Sequence, residues 1–312
     1  MTAPRPGRWA YHGGAIVPLD EATVPLNTQA LHYGTGVFEG IRARPAGGRE
    51  LVLFRAQDHY ERLLRSCGVL RIEPRVTAGE LIDITADLLG REDEPADWYV
   101  RPVAYKRSLR PGTPPGVGLA GISDGLSILI TRLGPYRPAA GVRCAISSWR
   151  RPGRAEIPVG AKVTGGYVNS ALATDEARAA GCDEAIMLNA RGEVAEAGTS
   201  NVFAVRGGRL TTPPADAGIL LGITRDTVLV LAAELGIPAV EEDLAPSDLL
   251  TADEVFLTGT GLGIAPVVEI AGRPIGGPES GAVTEALATR YDRVVRGDEP
   301  PHTGWITRIG PR

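Results

Sequence analysis

Only two of the 33 lysine and arginine residues in this chain are lysines, Lys106 and Lys162. A guanidinium stays protonated and cannot become a nucleophile, whereas a desolvated lysine amine can lose its proton and condense with an aldehyde as a Schiff base. Lys162 lies in the small-residue run Gly160-Ala161-Lys162-Val163-Thr164-Gly165-Gly166-Tyr167 and is the first candidate for covalent chemistry. Lys106, in Tyr105-Lys106-Arg107, reads as a stray surface lysine. A GC-rich coding sequence also produces an arginine bias, so the argument rests on the chemistry of the amine rather than on the count.

Two segments have the makings of phosphate cradles. Leu221-Gly222-Ile223-Thr224-Arg225-Asp226 is a tight turn running into an amphipathic helix. The first backbone N–H groups and the helix dipole favour an anion there, and the Thr224 hydroxyl adds a donor; the bland alternative is that Thr224 is an N-cap. In Phe256-Leu257-Thr258-Gly259-Thr260-Gly261-Leu262-Gly263-Ile264 a strand enters a glycine-threonine loop that can approach a ligand closely. This is not a dinucleotide fingerprint, because Ile264 stands where the third glycine belongs and Ala265-Pro266 suits an extended exit. Gly121-Ile122-Ser123-Asp124-Gly125 matches a nucleophile elbow and would make the protein a serine hydrolase using Ser123. That motif needs a strand before it and a helix after it. Here a Pro/Gly-rich loop precedes it, an apolar strand over 126–130 follows, and the only downstream histidine, His302, falls in what reads as an irregular tail.

The elements that must position these residues alternate between strand and helix. A hairpin is expected over 8–18 turning at Gly13-Gly14, with strands over 37–44 and 50–55 around Pro45-Ala46-Gly47-Gly48. Tyr60, Leu63, Leu64 and Cys67 share one face of a helix over 58–70, and Thr77-Ala78-Gly79-Glu80 is a capping box opening a helix through Leu89. Strands follow over 98–106 and 126–133. Two prolines and a glycine then mark a linker in Arg132-Leu133-Gly134-Pro135-Tyr136-Arg137-Pro138. Beyond it come a strand over 142–148, a helix from Val168 to Gly181, strands over 184–188, 193–196, 201–206 and 209–212, a helix over 224–235, a strand over 254–258 and a helix over 281–295. The expected organisation is a small α/β domain over 1–131, an interdomain loop over 132–138 and a large domain over 139–312, with a ligand between the lobes.

With 312 residues, 43% hydrophobic and 22% charged, the chain has the length of two domains and an ordinary globular composition. A net charge of −4 with scattered arginines offers no basic stripe for nucleic acid or an anionic membrane. No apolar run is long enough for a membrane span, and Met1-Thr2-Ala3-Pro4-Arg5-Pro6 lacks a signal core, so the expected compartment is the cytoplasm. Cys67, Cys144 and Cys182 form no disulfide framework or zinc pattern and read as reduced core residues; His12, His32, His59 and His302 are equally dispersed, so no metal is expected.

Pyridoxal phosphate needs an amine for its aldehyde, donors for its phosphate, a phenol near its ring oxygen and a carboxylate that keeps the ring nitrogen protonated. Lys162, the two turns, Tyr167 five positions beyond the lysine, and Glu196 in a tight turn between strands supply such a set, although each piece also has a structural reading of its own. The segment Ala30-Leu31-His32-Tyr33-Gly34-Thr35-Gly36-Val37-Phe38-Glu39-Gly40-Ile41-Arg42 resembles a signature of branched-chain amino acid aminotransferases, members of the fold-type-IV pyridoxal-phosphate enzymes. The likeness continues through Glu61-Arg62-Leu63, Tyr99-Val100-Arg101-Pro102, Lys162 to Tyr167, Glu196 to Phe203, Gly222 to Asp226 and Gly259-Thr260, across nearly the whole chain.

The resemblance implies a mixed α/β (α+β) two-domain fold, a homodimer and ping-pong transamination between an L-amino acid and 2-oxoglutarate or another 2-oxo acid. Lys162 would carry the Schiff base and the proton, Glu196 would meet the ring nitrogen, and Tyr167 the ring oxygen. Arg62, Ile223, Thr224, Gly259 and Thr260 would hold the cofactor's phosphate end, and Tyr33, Phe38, Arg42, Tyr99, Arg101, Tyr136, Thr260 and Gly261 would line the substrate pocket. A planar guanidinium at Arg101 suits a substrate carboxylate. Gly166 replaces a common asparagine, Leu133 a frequent aromatic, and Gly261-Leu262-Gly263 a bulkier loop, which points to a reshaped pocket. The rival readings on the same fold are a D-amino acid or (R)-amine transaminase and an aminodeoxychorismate lyase-like enzyme; a cofactor-free binding protein is the rival from another class.

Overall fold

Alternating apolar residues in the first third of the chain build an antiparallel sheet with one face under two helices. In the computed structural model, residues 4–109, 114, 116–134, 140–277, 281–299, 302 and 304–310 are described. They divide into two compact units, residues 1–134, 161–165 and 294–312 forming the first and 135–160 and 166–293 the second. The division is therefore not a single cut: the lysine-bearing segment and the C-terminal end are counted with the first unit. Of the linker expected over 132–138, Arg132 belongs to a strand, and residues 135–139, Tyr136 included, lie outside the described residues.

The first unit contains β1 (Arg5–His12), β2 (Ala15–Pro18), α1 (Gln29–Tyr33), β3 (Gly36–Phe38), β4 (Ile41–Gly47), β5 (Glu50–Phe54), α2 (Ala56–Val69), α3 (Ala78–Gly90), β6 (Trp98–Leu109) and β7 (Ile122–Arg132). The second contains β8 (Val142–Ile146), α4 (Tyr167–Ala179), β9 (Glu184–Leu188), β10 (Val194–Ala197), β11 (Asn201–Arg206), β12 (Arg209–Thr212), α5 (Ile223–Glu234), β13 (Ala239–Glu241), α6 (Pro246–Leu250), β14 (Glu254–Gly259), β15 (Gly263–Ile270), β16 (Arg273–Pro274) and most of α7 (Ala282–Arg296). The chain ends in β17 (Ile306–Ile309), which belongs to the first unit.

The first sheet runs β17-β5-β4-β6-β7-β1-β2, with β3 also paired to β6. Tyr60, Leu63 and Cys67 of α2 and Leu81, Leu88 and Leu89 of α3 bury against Ile41, Leu53, Val100, Ile128 and Ile130 of the sheet. The capping box forms as the sequence predicts: the Glu80 N–H donates to the Thr77 hydroxyl at 3.2 Å, and the Thr77 N–H donates to the Glu80 carboxylate at 2.7 Å.

Two expectations are corrected in this unit, and the nucleophile-elbow reading, already at odds with its sequence context, fails as well. Lys106 is not a surface lysine: its side chain is 3% exposed, and its Nζ donates to Asp124 Oδ1 at 2.7 Å and to the Arg71 carbonyl at 2.5 Å. The pair arises because β6 and β7 place Lys106 directly opposite Asp124, and a buried ammonium persists only when paired. The nucleophile-elbow reading fails on geometry, since Ser123 lies within β7 and its hydroxyl donates to the Ser108 carbonyl at 3.0 Å across the sheet. The tail is not irregular throughout: His302 lies in no regular element, but Ile306–Ile309 form β17. β17 pairs antiparallel with β5, and Arg55 donates its N–H to the Trp305 carbonyl at 2.6 Å while its guanidinium lies 4.9 Å from the Trp305 ring centroid. This satisfies an edge of β5 from the far end of the chain, which no local pattern announces.

The second sheet runs β10-β9-β8-β15-β14-β11-β12-β13, with parallel pairs at β8–β9, β8–β15 and β12–β13. Ile186, Val202, Leu257 and Val267 meet on one face of it. Phe203 and Phe256 lie opposite each other on β11 and β14 and stack at 5.0 Å. The extended exit expected after the glycine-threonine loop is the strand β15, and Gly259 pairs with Gly263, so the loop shrinks to residues 260–262. Glu196 lies on β10 rather than in the turn; the turn follows it, closed by the Ala197 N–H to the Ser200 carbonyl at 2.7 Å.

Gly34 ends α1 at φ 65°, and a Cβ there would lie 2.7 Å from Gly165 Cα, beside the lysine-bearing segment. Gly181 has a similar φ of 76° but open space around it. Gly181→Ala is therefore expected to destabilise by about 1–2 kcal/mol, the cost of a left-handed residue, and Gly34→Ala by distinctly more because two backbones must separate. Urea unfolding of the two variants checks this, and equal losses would refute the close-approach argument.

Candidate active site

Lys162 is fixed by its main chain. Ala161 and Val163 on either side are buried in the first core, Val163 bridges to Val37, and the Lys162 carbonyl accepts the Phe38 N–H at 3.1 Å. On the other edge the Lys162 N–H donates to the Ser66 hydroxyl of α2 at 3.2 Å. Two residues on, the Thr164 hydroxyl donates to the Gly34 carbonyl at 2.8 Å. Alternation between buried neighbours leaves the lysine side chain half-buried, with its amine 5.0 Å from the Phe38 ring centroid.

The same ring carries Arg101, whose guanidinium carbon lies 4.6 Å from the Phe38 centroid and 5.1 Å from that of Tyr99. One Arg101 Nη donates to the Tyr99 hydroxyl at 3.2 Å, while the buried Nε has no hydrogen-bond partner among the described residues. Phe38, Tyr99, Arg101 and Lys162 are thus brought together. Arg42 is turned to Asp97, which its Nε meets at 2.7 Å, and Tyr33, at the end of α1, is 49% exposed. Arg42 therefore already has a carboxylate, and a lining role for it runs through that pair.

Arg62 projects from the buried face of α2 onto Glu39, which accepts its Nε at 2.6 Å and one Nη at 3.0 Å. His59, one turn earlier, holds Glu39 Oε2 at 2.7 Å through Nδ1. Burial alone would raise the Glu39 carboxyl, but the Arg62 charge and the His59 hydrogen bond prevail and hold it well below its usual 4.5. Burial lowers His59 below its ordinary 6.5 despite the pull of Glu39, with the Arg62 and Lys162 charges pushing the same way as burial. The Lys162 charge reaches this cluster, so the cluster and the lysine share one electrostatic environment.

In the second unit Glu196 is the centre. Arg151 Nε lies 2.7 Å from Glu196 Oε1, and Oε2 accepts the Asn201 side-chain amide at 3.0 Å and the Leu220 N–H at 3.2 Å. Asn201 also donates to the Leu220 carbonyl at 2.9 Å, at the start of the turn that enters α5. Gly222, not Thr224, is the N-cap of α5 and supplies no side-chain cap; the helix opens at Ile223, one residue before the expected 224, with Thr224 in its first turn. Asn201 lies opposite Thr258 on β14, so Gly259 and Thr260 continue past the Glu196 turn. The buried Thr258 hydroxyl has no hydrogen-bond partner among the described residues. Tyr167 opens α4 and is half-buried, and Gly261 sits in the short loop between β14 and β15.

Each unit by itself carries groups that suit part of a phosphorylated pyridine aldehyde. The second has a helix start with no side-chain cap, a buried hydroxyl without a hydrogen-bond partner among the described residues and a buried carboxylate; the first has an amine over an aromatic ring. Sequence reasoning missed Glu39, His59, Arg151, Asn201 and Thr258. Glu39 lies inside the Tyr33 to Arg42 signature, and His59 sits one turn before Arg62 on a helix, so that pair was readable as neighbours; Arg151 had no local signal.

Residues 36–270 match the family Amino-transferase class IV, and this chain belongs to that family. It is 42% identical over 304 residues to a probable branched-chain-amino-acid aminotransferase of Aquifex aeolicus, with 96% of each chain covered. The branched-chain aminotransferase of Thermoproteus uzoniensis, solved with norvaline, superposes with a TM-score of 0.91 at 41% identity, covering 97% of this chain and 100% of that one. The branched-chain amino acid aminotransferase of Thermobaculum terrenum, solved in its PLP-form, gives 0.89 at 34% identity over 98% and 99%. The mixed α/β architecture with two sheets is accordingly the fold-type-IV aminotransferase fold.

The Glu39–His59–Arg62 cluster sets a pH dependence. The folded state keeps His59 neutral below its ordinary 6.5 and Glu39 ionised below its ordinary 4.5, so on acidification the unfolded chain binds protons that the folded chain does not. Stability is therefore expected to fall as pH drops below about 6.5, and again through about 4.5 and below. Urea midpoints from pH 8 to 5 should show a shallower decline for His59→Asn than for the wild type; parallel declines would remove His59 from the account.

Proposed function

We propose that this protein is a pyridoxal-phosphate-dependent aminotransferase moving the amino group of an L-amino acid, with a branched-chain or similar apolar side chain, to 2-oxoglutarate or another 2-oxo acid. The observation that carries the reading is the half-buried Lys162 amine over Phe38, a ring that Arg101 also contacts, on a backbone pinned from both edges. When bound, pyridoxal phosphate supplies an aldehyde for the amino group and a protonated ring that draws electrons from the substrate's α-carbon.

The chain's own residues supply the rest. Lys162 Nζ takes and returns the proton at the α-carbon, a short transfer that an immobile backbone keeps aligned. Glu196, a carboxylate held by Arg151, would be the partner of the ring nitrogen, and Tyr167 that of the ring oxygen. Ile223 and Thr224 at the α5 start, with Gly259, Thr260 and Arg62, would hold the phosphate, for which a helix N-terminus and a guanidinium are well suited. Arg101, with an Nε lacking a partner among the described residues, would receive a substrate carboxylate, while Phe38, Tyr99, Tyr33, Arg42 and Gly261 would bound the side-chain space. Tyr136 is assigned with them by the resemblance.

A second copy of the chain is the proposed partner. Leu26 and Leu31 are 82% and 63% exposed, and Leu31 lines a cavity of about 340 Å³ together with Leu19, Val24, Val103 and Leu129. Apolar surface of that kind marks an interface. The cytoplasm is the proposed compartment, supported by the unbridged thiols of Cys67, Cys144 and Cys182.

Lys162→Ala is expected to lower turnover by about 10³-fold or more while cofactor still binds. Single half-reactions followed in the visible spectrum should show the bound cofactor responding to L-glutamate and L-leucine. A response confined to D-alanine or a chiral amine would move the enzyme to another branch of the fold. Sedimentation velocity should give a dimer, and Leu31→Glu should shift it towards monomer.

A further inference from the structure

The Asn201 side chain joins two parts of the second unit that otherwise have separate tasks. Its amide nitrogen donates to Glu196 Oε2 at 3.0 Å and to the Leu220 carbonyl at 2.9 Å, and the Leu220 N–H returns to the same Glu196 oxygen at 3.2 Å. All three residues are buried, so these bonds are screened little by solvent. The amide oxygen presses on the turn itself: a Cβ on Gly222 would lie 2.1 Å from Asn201 Oδ1. Gly222 has an ordinary φ of −69°, so its backbone does not demand glycine. Among the contacts around it, only the Asn201 side chain comes within 3.4 Å of that Cβ position; the next atom, Arg225 Cβ, is at an ordinary 3.5 Å. Asn201 thus holds a carboxylate with one end and sets the position of the α5 entry turn with the other.

We infer that Asn201 is a positioning residue that fixes the spacing between the Glu196 carboxylate and the Leu220–Thr224 turn, and so tunes the protein to a ligand bearing a basic ring nitrogen at one end and a phosphate at the other. The inference rests on the cofactor reading above and extends it to a residue that touches neither reacting atom. The physical reason is that two anchors on different elements bind a rigid ligand tightly only when their separation is set beforehand. A side-chain amide suits the task, because it donates to carboxylate and carbonyl together and adds no charge beside Glu196.

Titration of pyridoxal phosphate into cofactor-depleted protein, followed by absorbance and by quenching of tryptophan fluorescence, tests this without recourse to turnover. Asn201→Ala is expected to weaken binding at least about tenfold, the scale of a lost hydrogen bond to a charged group. Asn201→Asp keeps the shape but removes the donor, and should lose at least as much; wild-type affinity in that variant would reduce Asn201 to packing and overturn the inference. Gly222→Ala should also weaken binding, but its effect should shrink to less than about threefold when Asn201 is already Ala, since the obstructing oxygen is gone. In a Glu196→Gln background, Asn201→Ala should likewise add less than about threefold. Additive losses in either double variant would overturn the inference, as would cofactor loss explained by a fallen thermal midpoint of the unliganded Asn201→Ala protein. If the wild type itself takes up no pyridoxal phosphate, the cofactor reading fails first; if it binds and Asn201→Ala binds equally, only the role of Asn201 fails.

Discussion

An amine proposed as the reactive group is useful only if the backbone that presents it does not move, and the contacts of the first unit around Lys162 meet that condition. The segment from Ala161 to Gly165 has no regular element of its own over its first three residues, so its fixation comes from outside: Phe38 on one edge, Ser66 on the other, and Gly34 at the end. Burying Ala161 and Val163 turns the intervening side chain out of the core. Small residues are required because the segment lies between a strand, a helix and a turn, and Gly34 meets Gly165 more closely than any Cβ would allow. Apolar packing supplies the stability, while the hydrogen bonds supply the register.

Each unit also buries a carboxylate held by an arginine: Glu39 with Arg62, and Glu196 with Arg151. Taking a charge out of water is expensive, and such a pair persists only when geometry and further hydrogen bonds offset desolvation. His59 completes the first cluster, while Asn201 and the Leu220 N–H complete the second. The forked guanidinium reaches two oxygens of Glu39 at once, which a lysine ammonium could not do with the same directionality. Lysine is found at Lys106, where it meets a carbonyl and a carboxylate inside a sheet, and at Lys162, the proposed nucleophile. Both lysines thus occupy built sites, although the sequence singled out Lys162 alone.

Local pattern revealed the elements whose signals are local. The capping box at Thr77, the helix containing Tyr60 and Leu63, and the turn entering α5 at Gly222 were all readable, because each is specified within a few residues. Lys106 was misread because its partner, Asp124, is across a strand pair, and the tail was misread because β17 owes its form to β5 at the other end of the chain. Glu196 was read both as the end of a strand and as part of a tight turn, and pairing with β9 keeps it in the strand.

The sequence by itself determined the family and the order of the motifs, and it singled out Lys162 as the proposed reactive lysine, because spacing within a motif is a covalent property and survives without coordinates. Only the tertiary structure decided which groups face one another: Arg62 on Glu39, Arg42 on Asp97, Arg151 on Glu196, and Asn201 between Glu196 and the α5 turn. These pairings join residues distant along the chain, and a buried charge selects its partner by where sheet register and helix packing bring the two together rather than by any pattern of neighbours.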